Sequence, residues 1–425
     1  MILRSRYLIL LLLLNTHFLS AKTIIVSKQG AVTSIQQGVT MASAGDTVII
    51  QKGNYKERGI VIDKKLFLKG EGYPEIDGEN KGEIISVKSP HVSIAGLSLM
   101  NTGFSYVNDI AGIKLYRVKN CLVENNKLYN TGFGIYLEVS DSCIIRNNEI
   151  IGLAKNETEA GNAIHMFHCN HLTVEGNNVS GHRDGIYFEF VSDSKISNNT
   201  SRMHIRYGLH FMVSNNNEYF NNRFEKNGAG VAVMYSKNIY MHSNVFADNW
   251  STISNGILLK EISDSRIENN LFERNTVGIY AEGTDRSQIL HNDFKYNGWA
   301  LKILGDCEDD YISDNNFISN TFEVVTNSSA SHNKFEKNFW SNYNGYDLNK
   351  DGIGDIPHSP VTLFTYMIEK VPPAIMLLRS IFIDLLNLAE KITPVITPET
   401  LTDAKPLMKP IRRTEMKNPK ETSAI

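Results

Sequence analysis

The sequence predicts an all-β chain, a right-handed single-stranded parallel β-helix with a capping helix at its N-terminal end and an amphipathic helix near its C-terminus. Three observations predict it. First, nine short strands open on a small residue: Gly112, Gly134, Ala163, Gly185, Gly208, Gly230, Gly256, Gly278 and Ala300. Second, an Asn follows each of them fourteen residues later, as at Asn126, Asn148, Asn177, Asn199, Asn222, Asn244, Asn270 and Asn292, with Asn315 one residue further on. The repeat is 22 to 23 residues long, apart from two stretches to 29 and 26, both between an Asn and the next small residue. Such a period holds about three strands of 4–5 residues plus turns, one coil of a solenoid. Third, no proline occurs from residue 91 to residue 356, as expected where every strand is a central one.

Within the repeat, period-two alternation sends Ile135 and Leu137, Ile186 and Phe188, Leu209 and Phe211, and Ile257 and Leu259 to the interior. The recurring Asn suits a corner, because its amide bonds locally and tolerates turn conformations, and stacked amides can form a ladder. Less regular strands from Thr23 to Thr102 begin the same solenoid. Thr33 to Gln37 has a capping-box arrangement followed by Ile35, Val39 and Ala42, which predicts a helix over the open end of the first coil.

The remaining elements follow in chain order. Arg4 and Arg6 precede an apolar run from Tyr7 to Leu14, and a polar stretch ends at Ser20-Ala21; residues 1–21 thus resemble a secretory signal peptide, with an apolar run too short to span a bilayer. The β-helix is expected over 22–345. Cys121 and Cys143 each lie five residues before a repeat Asn, so they should stack inward in adjacent coils, either as buried thiols or as a disulfide or metal contact. Cys169 and Cys307 are far apart in coil order. Over 346–358, Asp347, Asn349, Asp351 and Asp355 offer oxygens at alternate positions around Gly352, as calcium loops do. His358 stands where an EF-hand has its bidentate Glu, so a tight acidic turn is the other reading. An apolar stretch over 374–392, interrupted by Arg379, Asp384, Glu390 and Lys391, predicts an amphipathic helix that packs on its own solenoid or docks on a membrane partner. Pro398, Pro406 and Pro410 mark 393–425 as a flexible tail. A formal charge of −3 and a pI near 6.5 give no reason to expect nucleic acid.

Two columns should point outward from the repeat strand. The nearer runs Lys114, Tyr136, His165, Tyr187, His210, Ala232, Leu258, Tyr280, Lys302, and the farther runs Tyr116, Glu138, Phe167, Glu189, Met212, Met234, Lys260, Glu282, Leu304. So apolar a band on a surface sheet reads as a binding face, with Tyr187, Glu189, Leu258, Lys260 and Tyr280 as its partner contacts. His210, Met212 and Met234 converge as imidazole and thioether donors of the kind that favours Cu(I), with Met203, His204 and His165 as accessory candidates. Partner contact or packing is the plainer reading of the same trio. A second class of function rests on Glu138 and Glu189, two coils or about 9.6 Å apart, with aromatic neighbours suited to sugar rings. That would make the chain an extracytoplasmic carbohydrate-binding or polysaccharide-degrading protein.

Several segments are also familiar as a set. Arg183-Asp184-Gly185-Ile186-Tyr187-Phe188-Glu189-Phe190, Arg206 to Met212, Met234-Tyr235-Ser236, Gly256 to Ser263 and the closing Trp340 to Pro357 segment resemble the NosD family of nitrous oxide reductase maturation factors. The resemblance implies a periplasmic, non-enzymatic β-helix that helps deliver copper to the enzyme's copper–sulfur centre. Its implied partners are an ABC transporter permease and ATPase, a copper chaperone and nitrous oxide reductase, with peripheral membrane association through the transporter. It also leads one to expect carboxylates near Trp340, where this chain has Asn342 and Asn344.

Overall fold

The computed structural model describes residues 21–328, 332–392 and 401–413. The leader expected over 1–21 lies outside them apart from its last position. The chain winds into a right-handed parallel β-helix with three sheets of 14, 12 and 13 strands, and every strand pairs in parallel with its equivalents one coil away. The small-residue strands form the 12-stranded sheet: Ala111–Tyr116, Phe133–Glu138, Asn162–Phe167, Asp184–Glu189, Tyr207–Met212, Ala229–Met234, Asn255–Ser263, Val277–Asp285 and Trp299–Ile303, with shorter strands at either end. The inward set is as expected, with Ile135, Ile186, Phe188, Leu209, Phe211 and Ile257 all fully buried.

Three kinds of stack tie coil to coil. The repeat Asn residues form a continuous ladder, in which the Oδ1 of each accepts from both the backbone N–H and the Nδ2 of its predecessor, as Asn222 does from Asn199. Its own Nδ2 donates to a carbonyl of the preceding coil, for Asn222 that of Ile196. The left-handed backbone expected of the ladder Asn belongs instead to the residue before it: Asn125, Asn147, Asn198, Asn221 and Asn269 all have φ near +55°. The ladder residue can then turn its amide inward. A second ladder at another corner runs through Asn227, Asn249, Asn275, Asn297 and Asn320. Inside the coil, Phe224, Phe246, Phe272, Phe294, Phe317 and Trp340 stack with ring centroids 4.1–5.4 Å apart.

Both ends are sealed by elements the frame itself does not supply. Helix α1 (Ile35–Met41) buries Ile35, Gly38 and Val39 on the first coil. Its N-terminus is closed twice, by Ser34 accepting from Gln37 N–H and by Glu57 accepting from the Ile35 and Gln36 amides and the Ser34 hydroxyl. At the other end the Asn ladder gains one more rung, Asn338, and terminates on Asp403. The Asp403 Oδ2 accepts from the N–H and Nδ2 of Asn338 and from Trp340 Nε1, and its Oδ1 from the Lys337 and Lys405 amides. Residues 401–413, expected to be part of a flexible tail, therefore run along the last coils, with Ile411 bonded to Asn316 and Arg413 paired with Asp293. A carboxylate matching five orphan donors outweighs the local proline content. The rest of that tail lies outside the described residues.

The helix expected over 374–392 is broken. Helix α2 (Leu363–Lys370) precedes a 3-10 turn over Pro372–Leu377, Arg379 has φ +68°, and α3 spans Ile381–Ile392. Two prolines and a left-handed residue stop a single helix from forming. Phe364, Ile368 and Ile383 pack with Phe322 and Trp299 of the last coils, and Lys302 pairs with Glu369. No helix among the described residues is long and apolar enough to cross a membrane. In the acidic loop the proposed calcium ligands serve the loop's own amides. Asp347 accepts from Asp351 and Gly352, Asn349 from Asp351, Asp351 from Ile353, and Asp355 from Leu348. The tight acidic turn accounts for the motif.

His182 and His204 continue the second ladder: the His182 amide donates to His204 Nδ1 and the His204 amide to Asn227 Oδ1. An imidazole here imitates an Asn amide, with one nitrogen accepting as Oδ1 does. Burial holds His182 down to about 4 and His204 to about 3. In the unfolded chain both protonate near the ordinary 6.5. Below that pH the unfolded state therefore binds more protons, and the stabilising contribution, complete above pH 6.5, is lost as pH falls toward the folded value.

Two outcomes follow from the ladders. Asn222→Leu orphans the Asn199 amide and the Ile196 carbonyl and should cost on the order of 3 kcal/mol in urea melts. His204→Asn should keep the ladder. Between pH 6 and pH 4 it should make stability fall less steeply, by about 1.4 kcal/mol per pH unit, as read from urea melts across that range. A slope equal to that of the parent would mean that protons reach His204 in the folded state.

Candidate functional site

Strict coil-to-coil register builds the outward columns of the 12-stranded sheet as expected. Tyr136, His165, Tyr187, His210, Ala232, Leu258 and Tyr280 are successive Cα partners, and so are Glu138, Phe167, Glu189, Met212, Met234, Lys260 and Glu282. The nearer column is not exposed, however. Tyr136, His165, His210 and Ala232 are buried, because the rings cover one another. Tyr136 to His165 is 4.9 Å between centroids, His165 to Tyr187 is 4.7 Å, and Tyr187 stacks on His210 at 4.4 Å and 10°. Tyr207 closes on His210 from its own strand at 4.8 Å.

His210 stands out within this column. It is 3% exposed, and neither ring nitrogen has a hydrogen-bond partner. Burial first, then the nearby Arg206 and Arg183 guanidiniums, push its imidazole down to about 3. It is therefore neutral throughout the physiological range, with a free lone pair, which is the form that binds metal. Two residues on, Met212 shares its face and pairs in register with Met234, and both Met side chains are half-buried. A neutral imidazole beside two thioethers is a soft, uncharged donor set that suits Cu(I). No group of three or more His, Cys, Asp or Glu side chains among the described residues is arranged to hold a metal ion, so any site here must draw on Met.

The accessory candidates separate. His165 stays in the column, with its Nε2 3.4 Å from Glu189 and its Nδ1 3.4 Å from Asn162. His204 does not join the trio, because it is a rung of the interior ladder and lies beneath Gly185, where an added Cβ would meet its Nε2 at 2.7 Å. Met203 lies at a left-handed corner with its side chain in solvent. Of the partner-face candidates, Tyr187, Glu189, Leu258, Lys260 and Tyr280 all line the two columns and are half-buried, and Lys260 is engaged by Glu282 at 3.0 Å.

The carboxylates of the alternative reading are also engaged. Glu138 lies 3.5 Å from Lys114. Glu189 is held below the usual carboxylate range, chiefly by the His165 imidazole 3.4 Å away. A general acid needs the opposite shift.

Two features escaped the sequence reading. The residue after each member of the farther column from Tyr116 to Glu282 adopts positive φ, and there the chain carries Val139, His168, Phe190, Val213 and Tyr235. A β-branched residue in that region is strained, and Val139, Phe190, Val213 and Tyr235 are solvent-exposed, so neither backbone nor core calls for them. His168 stacks on Phe190 at 4.6 Å and 6°. The result is an apolar ridge beside Met212 and Met234. The only signal in the sequence was bulk at a repeat position that Gly283 fills in a later coil. The second feature is that the two loops announced by the stretched repeats share their corner with a third, at 101–110. Residues 101–110, 152–161 and 248–254 all leave the frame at the corner that precedes this sheet, and they expose Tyr106, Val107, Trp250 and Ile253. Binding surfaces are often built from such loops on a rigid scaffold.

Comparison with known proteins agrees with this architecture. The family model described as "Periplasmic copper-binding protein (NosD)" matches residues 152–346. A protein of Pseudomonas aeruginosa named "Probable ABC transporter binding protein NosD" is 28% identical over 365 residues, covering 82% of this chain and 85% of that one. Its namesake in Stutzerimonas stutzeri is 25% identical over 377 residues, covering 84% and 85%. Among solved structures, the Streptococcus pneumoniae surface adhesin PfbA superimposes with a TM-score of 0.54 at 14% identity, covering 79% of this chain and 96% of that one. The Yersinia enterocolitica family 28 exopolygalacturonase gives 0.56 at 11%, covering 74% and 78%. At such identities these two establish the fold alone. The relatives and the matched repeat region together make this chain similar to the NosD family, over the repeats in the family model and over most of its length in the two relatives.

Proposed function

We propose that this protein is a non-enzymatic factor that holds Cu(I) in transit on Met212, Met234 and His210 and passes it on during maturation of nitrous oxide reductase, in company with an ABC transporter. The observation that carries the reading is the buried His210, whose two ring nitrogens lack partners beside an in-register Met pair. An unsatisfied buried polar group is costly and calls for a reason, and a transient soft metal supplies one. All three donors are neutral, so Cu(I) binds and leaves without moving a proton. The half-buried thioethers meet the metal first, at the edge open to a partner, and the stacked Tyr187 ring and the tilted Tyr207 ring hold the imidazole in place behind them. The curated relatives are named as ABC transporter binding proteins, and that name, with the resemblance of the repeat motifs, supports the wider role. Copper chaperone and reductase would then meet the ridge and loops around the Met pair. The engaged state of Glu138 and Glu189 speaks against a polysaccharide-degrading function.

The C-terminal helices supply the contact with the transporter. Helix α2 and Ile383 pack on the solenoid, whereas Met376, Ile381, Phe382, Leu385 and Leu388 remain exposed on one continuous segment. An apolar surface left after self-packing is suited to the apolar rim of a permease, and it gives peripheral membrane association without a spanning helix.

The exchange Met212→Leu with Met234→Leu preserves volume and removes both soft donors. It should leave circular dichroism unchanged and weaken Cu(I) binding at least about tenfold, a loss of about 1.4 kcal/mol, in anaerobic titration against a competing chelator. Unchanged affinity would remove copper from this site. The pair Phe382→Ser and Leu385→Ser should leave the coils folded and abolish co-purification with the transporter permease. Retained co-purification would move the contact to the solenoid.

A further inference from the structure

Four cysteines are buried in this periplasmic chain, and two of them stand in a relation that the other two do not share. Lys119 bridges Asp141 and Leu122 pairs with Ile144, so Cys121 and Cys143 are register partners on adjacent coils, linked by the Ile144 amide donating to the Cys121 carbonyl. Neighbouring parallel strands place such partners roughly 4.8 Å apart at Cα, inside the span of about 4.4–6.8 Å that a disulfide bridges. The thiols point the same way. Cys121 Sγ lies 3.6 Å from the Lys119 carbonyl and Cys143 Sγ 3.4 Å from that of Asp141, in each case two residues back. In the same column Val92 precedes the pair and Leu172 follows it, so no third sulfur of that column lies above or below the pair. Cys169 belongs to a different column, where its Sγ accepts from the Ser140 amide, and Cys307 lies many coils away.

We propose that Cys121 and Cys143 form a disulfide that staples two adjacent coils. The position gives the staple a purpose. These two coils lie between the long loops at 101–110 and 152–161, where the chain leaves the repeating frame on either side. A cross-link closing one coil limits unwinding there by restricting the unfolded chain. Formation joins the two sulfurs and releases two protons and two electrons, which pass to the disulfide of a thiol oxidase in the exporting compartment and leave it as a dithiol. Periplasmic export provides that chemistry. The two residues are 2% and 0% exposed, so the bond must form while the coils are winding. Once oxidised, the pair also no longer offers Cu(I) a buried thiolate site competing with the thioethers.

The test uses the full-length protein exported by its own leader, unfolded in guanidinium with an alkylating reagent and no reductant. Intact mass should show two alkylated cysteines, and peptide mapping should place them at Cys169 and Cys307 and recover a linked pair of peptides holding Cys121 and Cys143. In Cys143→Ala the count should rise to three, with Cys121 now alkylated. Because alkylation is done on unfolded chain, the result can be read whether or not the variant is stable. Four alkylated cysteines in the parent protein, or a link that includes Cys169 or Cys307, would overturn the proposal.

Discussion

Everything in this molecule depends on the bond between one coil and the next. Parallel strand pairing supplies the backbone part of it, but strands can slip, and a slip by one residue exchanges interior for exterior. The Asn ladder prevents the slip. Each side-chain amide is bound both to the coil before it and to the coil after it, in a buried setting where an unmatched amide is expensive. The ladder thereby locks register at a corner that the hydrophobic pattern alone leaves loose. It also needs an end, and Asp403 is that end: a carboxylate can only accept, so it absorbs the last donors and offers none onward.

Locked register has a chemical consequence. Positions that are distant in sequence become neighbours one coil rise apart, and a column of side chains behaves as a one-dimensional stack. Inside, this yields the Phe stack that ends on Trp340. Outside, it lets Tyr136, His165, Tyr187 and His210 bury one another on a sheet surface that would otherwise face water. His210 acquires its environment from this stacking. A solvated imidazole would be half-protonated near pH 6.5, whereas the stacked one is neutral and unpartnered. The candidate site is thus an outcome of solenoid geometry, with the Met pair as its open edge.

The ends of the chain show a different balance. Coils bury their own core, so the terminal elements are free to serve other needs. At the N-terminus helix α1 is spent wholly on covering the first coil. At the C-terminus residues 401–413 perform that task, which leaves the outer apolar surface of the 3-10 turn and α3 without a role in the fold. The expected single helix is thus divided, with the capping done by residues 401–413 and helix α2 and an apolar surface left over on the 3-10 turn and α3.

The sequence by itself determined the architecture, because the repeat is dense and each position has one steric requirement. Small residues, alternating apolar residues and the corner Asn disclosed the coil length, the interior set, the loop positions and the in-register columns from Tyr136 to Tyr280. It also placed His210, Met212 and Met234 on one face. Only the tertiary structure decided what those placements mean. Burial depends on what lies above and beside a residue, so the outward column proved covered. His204, adjacent in sequence to an exposed Met203, proved to be an interior rung, because a one-residue step around a corner reverses direction. Asp403 could not be read as a ladder terminus, since its 65-residue separation from Asn338 leaves no local pattern. The strained apolar ridge was equally illegible, because backbone φ at a corner is set by coil closure and not by the residue that occupies it.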